Sequence, residues 1–298
     1  MTAVLVEEGP DKGAVWHFGE PTKEQRALES GLAWADLSHH EIIAIAGEDR
    51  LTWLHSLTTQ YLENLAQGVW QEALILDPQG HIEHQFFLVD DGTTTWLTVD
   101  PGCATVLIEY LQKMKFMLRV DVRDASAEYA LLRAPGLTDE LGGPYVLVPR
   151  SELTQTKKRF AATAIQVGTW ALDAQRVAAG RVRIGFETDH KSIPNELGLL
   201  DVAVHMNKGC YRGQETVAKI ANLGNPPRRL VLLHLDGSVV TMPPMGTDVE
   251  KDGVKVGFIG TVARHHELGT IALAVVKRNT PIEAILKVDG IPASQEVL

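Results

Sequence analysis

The apolar positions of this chain switch between a period of 3.6 and a period of 2, the mark of mixed α and β structure. Glu24, Ala27, Leu28 and Leu32 fall at amphipathic helical spacing and predict a helix over 22–34. The short apolar run 42–46 stops at Gly47 and predicts a strand. Residues 48–60 predict a helix with acidic residues in its first turn and an apolar stripe of Leu51, Leu54 and Leu57. Hairpin-like strands follow near 69–77, 81–90 and 94–100, divided by the turns Pro78-Gln-Gly80 and Asp90-Asp-Gly92. Pro101 is well placed to open a helix over 101–114.

A second group repeats this texture, with strands near 129–134 and 145–148 and helices near 151–162 and 169–180. The order of elements resembles that of ferredoxin-like units. The stretch 191–225 has little periodicity, as functional loops often do. From Leu230 onward short strands (230–235, 254–262, 271–276 and 285–288) separated by glycine turns predict a small β-barrel. Asn225-Pro-Pro227 reads as a linker, which divides the chain into an α+β region, 1–225, and a barrel domain, 226–298.

Composition narrows the function classes. At 298 residues the chain is long enough for two or three domains, and 45% hydrophobic with 22% charged residues is ordinary for a globular protein. No apolar run approaches the ~20 residues that span a bilayer. The first residues carry Glu7, Glu8 and Asp11 without a basic start or an apolar core, so no secretory signal is expected. That reading and the presence of only two cysteines predict a reducing, cytoplasmic setting. A net charge of −10 argues against general nucleic-acid binding. The basic spots at 157–159, Arg181, Arg183, Arg228 and Arg229 read first as solvated surface. Cys103 and Cys210 form no Cys-x-x-Cys pair, so one chain cannot build a four-thiolate iron–sulfur site.

The densest chemistry lies in Lys208-Gly-Cys-Tyr-Arg-Gly-Gln-Glu215. Cys210 sits between Lys208 and Arg212 and is bracketed by Gly209 and Gly213. If the segment is extended, both cations share a face with the sulfur. A helix over 214–222 ending near Gly224 would instead set Cys210 just before a helix N-terminus. Both arrangements favour the thiolate, so Cys210 and Lys208 are the candidate reactive pair. The competing reading of a lone cysteine is a small buried hydrophobe. His39-His-Glu41 and His265-His-Glu267 repeat one triplet, but adjacent histidines on a strand point to opposite faces, and no metal site is expected. Trp53, among leucines, reads as core; Trp34 and Tyr211 suit either core packing or stacking on a ligand.

The motif around Cys210 resembles the hallmark of YgfZ-type proteins, folate-binding relatives of the glycine-cleavage aminomethyltransferase. Further stretches agree in order: Asp36-Leu-Ser38, Gly47-Glu-Asp49, Asp77-Pro-Gln-Gly80, Ile193-Pro-Asn-Glu196, Asn225-Pro-Pro-Arg-Arg-Leu230 and Val256-Gly-Phe-Ile-Gly260. The resemblance implies an α+β ring of three domains, two interleaved ferredoxin-like units and a C-terminal β-barrel, holding tetrahydrofolate. It implies a monomer that assists assembly or repair of iron–sulfur client proteins, with no membrane or general nucleic-acid partner. Tyr211, Gln214, Glu215, Glu83 and Glu196 are the candidate folate contacts, with Glu187 a possible substitute acceptor.

Two departures bear on catalysis. Gly80-His-Ile-Glu-His84 stands where the enzymes have an Asp pair, and Arg176-Val-Ala-Ala-Gly180 puts Ala178 at the position of a folate-clasping glutamate. Loss of those acids makes aminomethyl transfer an unexpected activity. The alternatives are a folate-dependent one-carbon transferase or demethylase, relying on Glu83, and an RNA-binding module linked to tRNA modification.

Overall fold

The computed structural model describes residues 2–136, 145–237 and 241–298. The chain forms two compact units, each drawn from separate stretches. The first comprises Met1–Ile75, His84–Ala171 and Val202–Arg212; the second comprises Leu76–Glu83, Leu172–Asp201 and Gly213–Leu298. The expected cut at 225/226 marks the start of the barrel strands, whereas the compact units divide the chain elsewhere.

The first unit opens with a hairpin of β1 (Val4–Leu5) and β2 (Val15–His17), then α1 (Pro21–Glu29) and β3 (Ala33–Asp36). Next come β4 (Glu41–Ala46), α2 (Arg50–Leu57), β5 (Gln71–Leu76), β6 (Ile82–Asp90), β7 (Thr94–Val99), α3 (Ala104–Met114) and β8 (Asp121–Asp124). Finally come β9 (Tyr129–Arg133), β10 (Tyr145–Pro149), α4 (Leu153–Ala161) and β11 (Ile165–Val167). Strands β5-β6-β7-β4-β8 make a five-stranded sheet and β10-β9-β3-β11 a four-stranded one. The two sheets interleave along the chain, because β3 pairs with β9 and β11 yet precedes the whole of the five-stranded sheet.

Burial explains these choices. Ile43, Ile45, Phe86, Leu88 and Leu97 on the larger sheet pack with Trp53 and Leu54 of α2 and Leu107 and Leu111 of α3. On the smaller sheet Trp34 packs with Leu132 and Val148 and with Phe160 of α4. Both tryptophans are therefore core residues.

The second unit contains most of α5 (Thr169–Ala178), then α6 (Gln214–Leu223) and six strands: β12 (Arg228–Leu235), β13 (Asp248–Lys251), β14 (Val254–His265), β15 (Gly269–Lys277), β16 (Leu286–Val288) and β17 (Ile291–Val297). These close in the order β12-β15-β14-β13-β16-β17, with β17 back on β12, around Val231, Leu233, Ile259, Ala274, Val276 and Leu286. The architecture is mixed α and β with a closed C-terminal β-barrel, as the sequence predicts.

Three local expectations change. The first helix stops at Glu29, because Gly31 (φ 72°) turns the chain and Leu32 N donates back to Ala27 O at 2.8 Å. Leu32 is consequently exposed rather than part of an apolar stripe. Glu48 and Asp49 precede α2 instead of filling its first turn, and both pair with Arg119. That helix also ends at Leu57, leaving Thr58, Thr59 and Gln60 buried outside it.

Candidate functional site

The segment released by α2 is the seat of the cysteine loop. Thr59 Oγ1 donates to Ala203 O at 2.6 Å, Gln60 Nε2 donates to Val202 O at 3.1 Å, and His205 N donates to Thr59 O at 2.9 Å. These bonds fasten the start of Val202–Arg212 in the first unit. Lys208 fastens its middle: the buried ammonium donates to His55 O, to Thr58 O at 2.6 Å and to Gln60 O at 3.0 Å. His55 lies in the last turn of α2 and Thr58 is its C-cap, so the cation also meets the negative end of the helix.

Burial pushes the Lys208 ammonium down to about 8, with the Glu63 carboxylate pulling the other way. The Tyr211 ring stands 5.3 Å from the same nitrogen, and burial pushes its hydroxyl up to about 12. Cys210 is exposed. Residues 208–211 form neither strand nor helix, and α6 begins only at Gln214 behind its N-cap Gly213. Lys208 points its charge into backbone carbonyls; what it visibly does is hold the loop.

The second half of the motif belongs to the second unit. Gly213 is the N-cap of α6, with φ 83°, and a Cβ there would lie 2.6 Å from Asp77 O and 2.9 Å from Gly80 Cα. A Cβ on Gly80 would meet Thr216 Cβ at 3.0 Å. The two glycines thus permit the 77–80 turn to pack directly on the first turn of α6. Asp77 shapes that turn by accepting from Gln79 N, His81 N and His81 Nδ1, each at 2.8 Å. Ile82 N donates to Ser192 O at 2.9 Å, which ties the start of β6 to the 189–196 segment. The elements carrying Glu83, Gln214 and Glu196 are in this way linked. Glu83 and Glu215 are exposed, and Gln214 is half-buried.

Glu196 has a different occupation from the one expected. Its carboxylate takes Arg228 Nε at 2.9 Å and Nη2 at 2.8 Å, a bidentate pair, while Asp189 takes Nη1 of the same arginine at 2.7 Å. Burial works against the Arg228 charge, and these carboxylates more than offset it. Glu187 is fully buried and equally engaged: it accepts from Arg176 Nη1 at 3.0 Å, Arg183 N at 2.8 Å and Thr261 N at 2.8 Å. A Cβ on Gly260 would sit 2.6 Å from Glu187 Oε1, so the glycine makes room for the acid. Arg176 continues the network to Asp173, Arg181 O and Thr261 Oγ1. Sequence reasoning treated Arg228 as solvated surface and did not assign Arg176 a role; both are buried-pair partners. Their nearest sequence signal is that each lies within a motif carrying the family resemblance.

These units have the architecture of an aminomethyltransferase-type α+β protein. The structure superposes on the glycine cleavage system aminomethyltransferase T from Bartonella henselae with a TM-score of 0.81 and 16% identity, covering 99% of this chain and 93% of that one. No family model matches the sequence. A putative chloroplastic transferase of Arabidopsis thaliana is 27% identical over 290 residues, 83% of this chain and 65% of the relative. The mitochondrial iron-sulfur cluster assembly factor IBA57 homolog of Mycosarcoma maydis is 23% identical over 262 residues, 76% of this chain and 63% of the relative. The chain therefore spans just under two thirds of the length of these two proteins. Aminomethyltransferases and a tRNA-modifying protein YgfZ are also among its relatives. The chain is thus similar in sequence to aminomethyltransferases and to the YgfZ and IBA57 proteins, and it shares the aminomethyltransferase fold. The names of the two detailed relatives place them in chloroplast and mitochondrion, compartments other than the cytoplasm expected from the sequence. Among the described residues no helix is long and apolar enough to cross a membrane.

Proposed function

We propose that this chain is a tetrahydrofolate-binding accessory protein that assists assembly or repair of iron–sulfur proteins. The observation that carries the reading is the occupation of the acids. Glu187 and Glu196 are engaged with Arg176 and Arg228, and Ala178 stands at the expected glutamate position. One-carbon transfer at a pterin needs a group able to exchange or stabilise a proton at the ring nitrogens. Buried carboxylates locked on arginines are poor candidates for that task, so the reading is one of binding rather than turnover.

The donor set still suits a folate. Glu83 and Glu215 offer carboxylate acceptors for pterin N–H groups, and the Gln214 amide offers both donor and acceptor. Bound tetrahydrofolate would supply a carrier for one-carbon units. Tyr211 and Lys208 would hold the cysteine loop, and exposed Cys210 would face an iron–sulfur client. The IBA57 relative's name supports that class of client.

Isothermal titration with tetrahydrofolate tests the reading. Saturable binding by both the wild type and Cys210→Ala is expected; no binding by either would remove the folate half. A one-carbon transferase or demethylase is the second reading, favoured by the aminomethyltransferases among the relatives. It depends on Glu83, so turnover that survives Glu83→Gln would end that version.

A further inference from the structure

The turn between β3 and β4 gathers chemistry that the folate reading does not use. His39 and His40 were expected to diverge as neighbours on a strand. They lie instead in the turn after β3, where His40 N donates to Leu37 O at 2.9 Å. Their rings therefore come together, with centroids 4.9 Å apart at 66°. Buried Asp11, from the β1–β2 hairpin, brings a carboxylate oxygen to 3.2 Å from His39 Nε2. Asp100 arrives from the other side. The β4–β7 register pairs Glu41 with Val99, which sets His40 opposite Asp100, and His40 Nδ1 lies 3.7 Å from its carboxylate.

The geometry points to a divalent transition-metal site formed by Asp11, His39 and His40, with Asp100 as fourth ligand or as the partner that orients His40. Two imidazoles with carboxylates form a borderline donor set suited to zinc or ferrous iron. One ligand atom from each of Asp11, His39 and His40 lies within 4.8 Å of the others. Tetrahedral bonds of about 2.0–2.2 Å place ligand atoms roughly 3.3–3.6 Å apart. The Asp11–His39 pair, at 3.2 Å, is close to that spacing, and small side-chain rotations bring in His40. A metal here would tie the N-terminal hairpin to the β3–β4 turn, because Asp11 comes from one and both imidazoles from the other.

Titration of untagged, metal-free protein with Co²⁺ provides the test, read by visible d–d absorption and by stoichiometry. One saturable equivalent is expected, without the sulfur-to-cobalt charge-transfer band that a cysteine ligand produces. Cys210→Ala should keep that equivalent, as should the double variant His265→Ala/His266→Ala, which removes the stacked pair in the second unit. Asp11→Asn, nearly isosteric, should weaken binding at least tenfold, and His39→Ala/His40→Ala should abolish it while far-ultraviolet circular dichroism stays unchanged. If the double histidine variant fails to fold, the Asp11→Asn affinity decides the question. Wild-type protein that binds no saturable Co²⁺, or Asp11→Asn that binds it unchanged, overturns the proposal.

Discussion

The Lys208 ammonium stands 2.6 Å from the carbonyl oxygen of Thr58, and this contact decides what the lysine of the cysteine motif does. A cation with three carbonyl acceptors at the end of α2 is a fastener between the Val202–Arg212 loop and the buried 58–60 segment. Replacement by Met keeps the stem and deletes the donors, leaving those carbonyls unsatisfied. Hydrogen bonds from charged groups contribute roughly 1.5–3 kcal/mol each, but the carbonyls partly rehydrate, so a net loss of about 2–4 kcal/mol is expected in urea denaturation. The rate at which Cys210 reacts with a disulfide reagent separates fastening from activation. A folded Lys208→Met protein whose thiol reacts within about threefold of wild type fits the fastener; a slowing beyond tenfold, through loss of thiolate, restores the lysine as activator.

The two glycines that bracket Cys210 should behave differently. Gly213 has φ 83° and no room for a Cβ beside Asp77 O, whereas nothing lies within 4 Å of the Cβ position on Gly209. Gly213→Ala combines left-handed strain with overpacking, and a loss of about 2–4 kcal/mol is expected. Gly209→Ala should stay within about 0.5 kcal/mol. Denaturant midpoints for the pair provide the comparison, and equal effects would mean that the Gly213–Gly80 approach is not what fixes the turn.

Glu187 offers a test of the acids. Its side chain is fully buried and serves Arg176 and two backbone N–H groups. Glu187→Gln keeps the shape, turns one acceptor into a donor facing donors, and leaves Arg176 with less compensation. Breaking a buried pair costs about 3–5 kcal/mol. The expected result is a large drop in thermal stability. A stable variant that has instead lost tetrahydrofolate affinity would return Glu187 to the ligand site.

The sequence exposed those features whose signals are local. α6 runs to Leu223, with Gly224 at φ 63° behind it, because a glycine stop can be read directly from the chain. The barrel strands β14 and β15 were equally visible as long apolar runs. β13 was not, since Asp-Val-Glu-Lys offers one buried residue, Val249, and gains its place only from partners on both sides. β17 also lies beyond the predicted strands, and its Pro292 has no N–H to give to a ladder. At the candidate site the residue types were legible and their commitments were not. Nothing near Glu196 in sequence announces that Arg228 will take both its oxygens, and the buried 58–60 segment looked like the end of a helix. Such pairings are set by tertiary packing, which hydrophobic periodicity does not encode.

His84 supplies a pH dependence that is separable from the carboxylates. It lies on β6 with its ring 5.8 Å from that of Tyr110, and burial pushes its imidazole down to about 4. In the unfolded chain an imidazole titrates near 6.5. Between these values the unfolded state holds a proton that the folded state lacks, so acid favours unfolding. Stability is therefore full above about pH 6.5, falls as pH drops toward 4, and loses nothing more from this group below that. The shift corresponds to roughly 1–3 kcal/mol for a half-buried ring. His55 adds to the same slope, because burial, and then the Lys208 charge, lower it as well. Asp189, where burial is outweighed by the hydrogen bonds from Arg228, Lys191 N and Ser192 together with the Arg228 charge, is held down to about 2 and contributes its loss only below pH 4. Urea denaturation of wild type and His84→Phe at half-unit steps from pH 7 to 4 should give a shallower slope for the variant. Parallel curves would mean that the ring takes up its proton in the folded protein, which its packing against Tyr110 argues against.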